Sequence, residues 1–405
     1  MAEYIRKQYN TLKARIAEPR KFIQVLAGPR QVGKTTLVAQ VVKDINVPFT
    51  LENADGIAPN NKEWIHQVWQ SVRVNMQMHG HEEHLLVIDE VQKLENWSEQ
   101  VKAEWDRDTL EGRQLKVVLL GSSSMLLRKG LWVSLAGTFE LIRMTHWSYS
   151  EMRDAFGFTL DQYIYYGGYP GTVHMIGDER RWRKYIKDAL VAPAIDKEDI
   201  LSNLIYKPAL MKQTFELGCA YSAELLSLTK MMGQLQDAGN VTTLASYVDI
   251  LSSCALLTGL QKYASDTARK YNSVPKFQVY NNALLTTYKG RSFTKDRLDT
   301  AVWGRWVESA VGAYLVSQAE ELDYKVYYWR EKEHEVDFIL VADEIVIAIE
   351  VKSGRRGMNS GLPAFSRQFH PTRTLVVGTG GLSLEDFFAT DLSRLIEAVG
   401  GLGLD

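Results

Sequence analysis

Residues Gly28-Pro29-Arg30-Gln31-Val32-Gly33-Lys34-Thr35 spell a complete G-x-x-x-x-G-K-[ST] loop, and no other stretch constrains the chain as tightly. An apolar run from Phe22 to Ala27 precedes it, and an amphipathic stretch from Thr36 to Val42 follows. Strand, loop and helix in that order let two glycines bend the backbone so that its N–H groups surround an anion. The positive end of the helix points at the same place. Lys34 is then expected at the β- and γ-phosphates of a nucleoside triphosphate, with the Thr35 hydroxyl facing Mg²⁺. Gly28 through Thr35, together with Thr36, form the expected nucleotide contact, and ATP and Mg²⁺ the expected ligands. The alternative is a glycine-rich turn before a helix.

The rest of the composition sets bounds. At 405 residues the chain exceeds one ordinary core, and about 150 residues per domain gives two or three. A net charge of -2 supplies no global basic field, so any nucleic-acid site must be local. Cys219 and Cys254 are the two cysteines, too few for a zinc or disulfide framework, and are expected as packed small hydrophobes. The start, Met1 to Lys7, has no apolar signal core, and no stretch is apolar enough for a membrane helix. A cytoplasmic protein without a membrane partner is expected.

Residues 1–150 read as an α/β domain with a parallel sheet. A charged amphipathic helix spans Tyr4 to Ile16 and ends before Pro19. The strand Leu85-Leu86-Val87-Ile88 runs into Asp89-Glu90. Asp89 is placed to hold Mg²⁺ through water, and Glu90 to polarise the water that attacks the γ-phosphate. A further strand, Lys116 to Leu120, ends in Gly121-Ser122-Ser123-Ser124, at the carboxyl edge where ligands bind in such sheets. Ser122 or Ser123 is expected to sense the γ-phosphate; the alternative is a serine-rich helix cap.

The wording of the phosphate loop, of Asp89-Glu90-Val91-Gln92 and of the Gly121-Ser122-Ser123 turn resembles a widespread prokaryotic family of AAA-plus ATPases. Members of that family carry a C-terminal domain like the PD-(D/E)XK nucleases. Trp147-Ser148-Tyr149-Ser150-Glu151-Met152 looks like the family's junction after the ATPase core. Similar proteins place an arginine after Leu135-Ala136-Gly137 to serve a neighbouring subunit's nucleotide, whereas Thr138 stands there in this chain. Arg128 and Arg143 are the substitutes. The resemblance implies a homo-oligomeric ring or spiral, such as a hexamer.

In residues 151–290, the aromatic, glycine-punctuated Tyr163 to Gly171 resembles the family's loop before a helical lid; packing of a tight turn is favoured over base stacking. Short helices at Ala223 to Leu228, Met231 to Leu235 and Leu244 to Cys254 precede strands at Leu256 to Tyr263 and Phe277 to Tyr280. Three helices and a two-stranded ribbon make a winged helix, to which the resemblance also points. The third helix carries Ser246, Tyr247 and Asp249 but no cation, so it reads a DNA groove poorly by itself. The basic residues Lys262, Arg269, Lys270 and Lys276 fall on the wing.

Residues 291–405 hold a second constellation. Val336 to Leu340 is a strand carrying Asp337, and Ile345 to Ile349 a strand ending in Glu350-Val351-Lys352, with Glu350 and Lys352 on one face. Asp337 and Glu350 are expected to bind Mg²⁺, Lys352 to position water, and Glu308, on a helix upstream, to complete the metal set. This order resembles the PD-(D/E)XK, or restriction-endonuclease-like, α/β core, with Gln368 as an additional residue of Holliday-junction-cleaving members and Arg355-Arg356 suited to a phosphate backbone. A plain ion pair on one strand face is the alternative. The expected function is an ATP-driven enzyme acting on DNA, including branched structures such as Holliday junctions. A signalling or protein-remodelling ATPase with a docking module, and an ATP-gated nuclease, stand as alternatives.

Overall fold

Continuous apolar strands demand cover on both faces, and the first sheet meets that demand. This computed structural model describes residues 4–123, 134–196, 205, 207–235, 239–265, 273–354 and 361–400. Ser124, Arg128, Arg269, Lys270, Arg355 and Arg356 lie outside the described residues. The chain divides into two compact units, residues 1–144 with 196–206, and residues 145–195 with 207–405.

The first unit runs α1 (Gln8–Ala17), β1 (Ile23–Gly28), α2 (Lys34–Lys43), β2 (Phe49–Asn53), α3 (Trp64–His79), β3 (Glu83–Asp89), α4 (Trp97–Leu110), β4 (Gln114–Ser122) and β5 (Phe139–Arg143). All five strands are parallel in the order β2-β3-β4-β1-β5. The central strands are buried along nearly their whole length, whereas edge strand β2 alternates between exposed and half-buried residues. One core under the sheet gathers Trp69, Trp97 and Trp105 against Leu86, Ile88 and Leu119. The expected mixed α/β fold with a parallel-sheet core is the observed one.

The second unit opens with α5 (Tyr149–Phe156), whose Ser148 and Glu151 form a capping box, and α6 (Leu160–Tyr166), capped likewise by Thr159 and Gln162. Helices α7 (Glu179–Tyr185), α8 (Ala192–Asp196) and α9 (Pro208–Ala220) follow. Tyr165 and Tyr166 pack edge-on and tilted against Trp182 and Phe293, so the aromatic turn is core. Next come α10 (Leu228–Met232), α11 (Val241–Ser253) and an antiparallel ribbon of β6 (Leu257–Leu260) and β7 (Lys276–Val279). No helix forms over 223–227, contrary to expectation. Ala223 turns left-handed at φ 65° and Leu225 bridges antiparallel to Lys276, so the first helix of the trio is α9. Cys219 and Cys254 are both buried, and burial pushes the Cys219 thiol up.

After α12 (Asn282–Lys289) and α13 (Phe293–Leu298), the long α14 (Thr300–Leu322) leads into β8 (Lys325–Glu331), β9 (His334–Ala342) and β10 (Ile345–Lys352). Then come α15 (Gly361–Phe369), β11 (Arg373–Gly378), α16 (Leu384–Ala389) and α17 (Leu392–Gly400). The sheet order is β11-β10-β9-β8, an antiparallel meander with β11 added parallel to β10. Among the described residues, no helix is long and apolar enough to cross a membrane.

Candidate functional site

The phosphate loop joins β1 to α2. Gly33 sits at φ 94°, with open space where a Cβ would be, and Gln31 at φ 60°, so the backbone folds back over the start of α2. A Cβ on Gly28 would run into the Met144 carbonyl, which makes glycine the residue that fits beside β5. Arg6, buried, donates from Nη1 to the Val32 carbonyl at 3.2 Å and braces the loop from the N-terminal segment, a contact no local motif announces.

Lys34 is buried, and its Nζ donates to the carbonyls of Gly28 at 3.0 Å and Pro29 at 2.8 Å. These are neutral partners that an anion can replace. The Thr35 hydroxyl donates to Asp89 Oδ2 at 2.7 Å, bringing the expected metal-side pair together from the first turn of α2 and the end of β3. Glu90 follows at φ 54°, its N–H on Asp89 Oδ1 at 2.9 Å, so the two carboxylates leave the strand in different directions. Burial raises the Glu90 carboxyl above the usual range, while the Lys34 and Arg30 charges pull the other way. Gln92, buried, donates from Nε2 to Glu90 Oε2 at 2.7 Å; the Glu-x-Gln spacing carried that signal in the sequence. Ser122, buried at the end of β4, lies in register with Gly28, and Ser123 is buried beside it. The hydroxyl of Thr138 donates to the Leu135 carbonyl at 2.7 Å, and Arg143 ends β5 in register with Ala27.

A positively disposed loop, an ammonium on replaceable carbonyls and a hydroxyl–carboxylate pair suit a Mg²⁺-bound triphosphate. The residues at this site fit both ligands.

The C-terminal set is arranged otherwise. Asp337 on β9 is half-buried and accepts at Oδ2 from the Val351 N–H at 2.8 Å; Glu350 on β10 is buried, and Lys352 is half-buried on the same face. Glu308 on α14 reaches the same place, but so does Lys276. Its Nζ donates to Glu308 Oε1 at 2.7 Å and to the Asp337 carbonyl at 3.2 Å, and lies 3.8 Å from Asp337 Oδ1 and 3.9 Å from Glu335 Oε1. Lys276 is therefore not a wing cation; its side chain has no exposed surface. Burial opposes its charge, but Glu308, Asp337 and Glu335 outweigh burial and hold the ammonium's pKa above normal. Burial, then Glu308, push the Asp337 carboxyl well above its usual range against the pull of Lys276. Among the described residues no three acids, cysteines or histidines are grouped to hold a metal. Glu308, Asp337 and Glu350 so arranged do not fit the expected Mg²⁺. Gln368 instead lines a groove of about 710 Å³ with Lys230, Lys262, Arg330, Tyr263 and Phe369.

Residues 20–153 match the AAA domain family, residues 157–295 a domain of unknown function (DUF8612) and residues 303–392 another (DUF4143). The first unit thus carries an AAA-type P-loop domain. No curated protein matches the chain. Among solved structures, the crystal structure of Saccharomyces cerevisiae RIF2 is similar at 13% identity and a TM-score of 0.29. That match covers 40% of this chain and 64% of that one.

Proposed function

We propose that the chain is a Mg²⁺-dependent ATP hydrolase that couples turnover to work on DNA. The observation that carries the first half is the Thr35–Asp89 contact of 2.7 Å beside a buried Lys34, with Glu90 steadied by Gln92 at the end of β3. The loop N–H groups of Gly28 through Thr36 bind the phosphates. Lys34 leaves its carbonyl partners for the β- and γ-phosphates. Thr35 and Asp89 would hold Mg²⁺, which when bound would neutralise phosphate charge. Glu90 Oε2 is engaged by Gln92, so Oε1 accepts the proton of the attacking water, and Ser122 faces the γ-phosphate. A ring or spiral of copies would supply an arginine from a neighbour. Lys34→Ala should abolish phosphate release, by about 10²–10³-fold, as loss of a preorganised electrostatic partner does. Retained turnover would refute the assignment.

DNA as the partner is supported by two features of the second unit. Helices α9, α10 and α11 followed by the ribbon have winged-helix order, and the sequence α14-β8-β9-β10-α15-β11 has the order of a restriction-endonuclease-like scaffold. The groove near that ribbon gathers Lys230, Lys262 and Arg330 with aromatic faces, the pairing that single strands favour. No cleavage step is derived, because the acid set does not fit a metal. One observation favours the protein-remodelling reading: α11 carries no lysine or arginine, and burial raises its Asp249 carboxyl. ATP hydrolysis measured with single-stranded, duplex, forked and four-way-junction DNA over a salt series separates the two. DNA work predicts stimulation that falls steeply with salt, as counterion release requires; no binding by any DNA hands the assignment to protein remodelling.

A further inference from the structure

Lysine is the side chain least suited to complete burial, yet Lys276 at the start of β7 is wholly buried. What surrounds it explains the placement. Three carboxylates, Glu308, Glu335 and Asp337, and the Asp337 carbonyl converge on its Nζ within 3.9 Å, and the Phe338 ring lies 4.8 Å from it on a further side. Several anionic and neutral oxygens around one point is what a hard divalent cation asks for. An ammonium satisfies the same oxygens at longer distances and with one charge, and the two cations cannot share the place. Glu308 comes from α14, Glu335 and Asp337 from β9, and Lys276 from the ribbon, so the arrangement also ties three elements of the second unit together.

We infer that Lys276 is a resident cation taking the place of a divalent metal among Glu308, Glu335 and Asp337, so that the C-terminal sheet binds no metal there. The inference does not rest on the ATP reading. Its consequence is that removing the ammonium while keeping the side-chain bulk opens a metal site.

The test counts Mn²⁺ bound to the full chain without nucleotide, by electron paramagnetic resonance. The chain and its Asp337→Asn variant should bind the same number of ions, any ion at the phosphate loop cancelling in the comparison. If Asp337→Asn removes a site, the inference is overturned. Lys276→Met should gain one Mn²⁺ per chain, lost again in Lys276→Met with Asp337→Asn. A folded Lys276→Met that gains none also overturns it. Should Lys276→Met unfold, recovery of its far-ultraviolet signal by Mn²⁺ but not by EDTA supports the inference. If Mn²⁺ restores nothing, the comparison of the unaltered chain with Asp337→Asn decides.

Discussion

The phosphate loop and the C-terminal sheet each combine a buried lysine with carboxylates, and they use the lysine in opposite ways. At the phosphate loop, Lys34 rests on two backbone carbonyls and leaves Asp89 to the Thr35 hydroxyl. A neutral hydroxyl donates to that carboxylate, which suits the pair to a metal, and the lysine sits on neutral carbonyls that an anion can replace. In the C-terminal sheet, Lys276 lies directly on Glu308 and close to Asp337. There the charge is already balanced from within. The difference teaches that residue types alone do not make a metal site; whether a cation is already tethered among the carboxylates decides it.

The largest expected effect separates the two places by chemistry. Glu90→Gln removes the base and keeps the shape, so hydrolysis should fall by about 10²–10⁴-fold with ATP binding retained. Full turnover in that variant would move the base elsewhere. The next effect separates them by stability. Lys276→Ala leaves half-buried carboxylates without their wholly buried cation and should cost up to about 3–5 kcal/mol in denaturant unfolding. A loss under about 1 kcal/mol, the scale of an exposed ion pair, would show that the cluster is wetter than the structure has it.

The first place was legible in the sequence because its parts are local. Gly28 through Thr36 are contiguous, and Asp89-Glu90 close a single apolar strand. The second was legible only in its acids. Lys276 and Gln278 alternate with Phe277 and Val279, a pattern that reads as a strand with one wet face. In the structure both faces are buried, because α14 covers the polar one: Gln278 Nε2 donates to the Ser309 carbonyl at 2.8 Å, next to the Glu308 that takes Lys276. Likewise Ala223 to Leu228 contains good helix formers, but the bridge from Leu225 to Lys276 prevails over propensity. Gly312 lets α14 approach that ribbon. An added Cβ would run into the Gln278 amide and lie 2.8 Å from the Phe338 ring. Helix propensity alone makes Gly312→Ala stabilising by up to about 1 kcal/mol. Overpacking should reverse the sign to a loss of about 1–3 kcal/mol, and a rise in melting temperature would show that the helix does not press on the ribbon.

The smallest effect is the most specific to the loop. Burial raises the Glu90 carboxyl, and the Gln92 amide is among the groups that lower it. A base must be ionised to accept a proton, so turnover falls as pH drops through its pKa, and the acid limb of kcat should lie above the ordinary glutamate value of about 4.3. Gln92→Ala deletes a hydrogen bond to the ionised form, so the limb should move to higher pH. At neutral pH the same variant should lose about tenfold or less in kcat, as expected for one hydrogen bond to a charged group. A limb that stays in place while kcat falls would mean that Gln92 orients Glu90 without tuning it. A limb that moves to lower pH would mean that Glu90 is not the group being titrated.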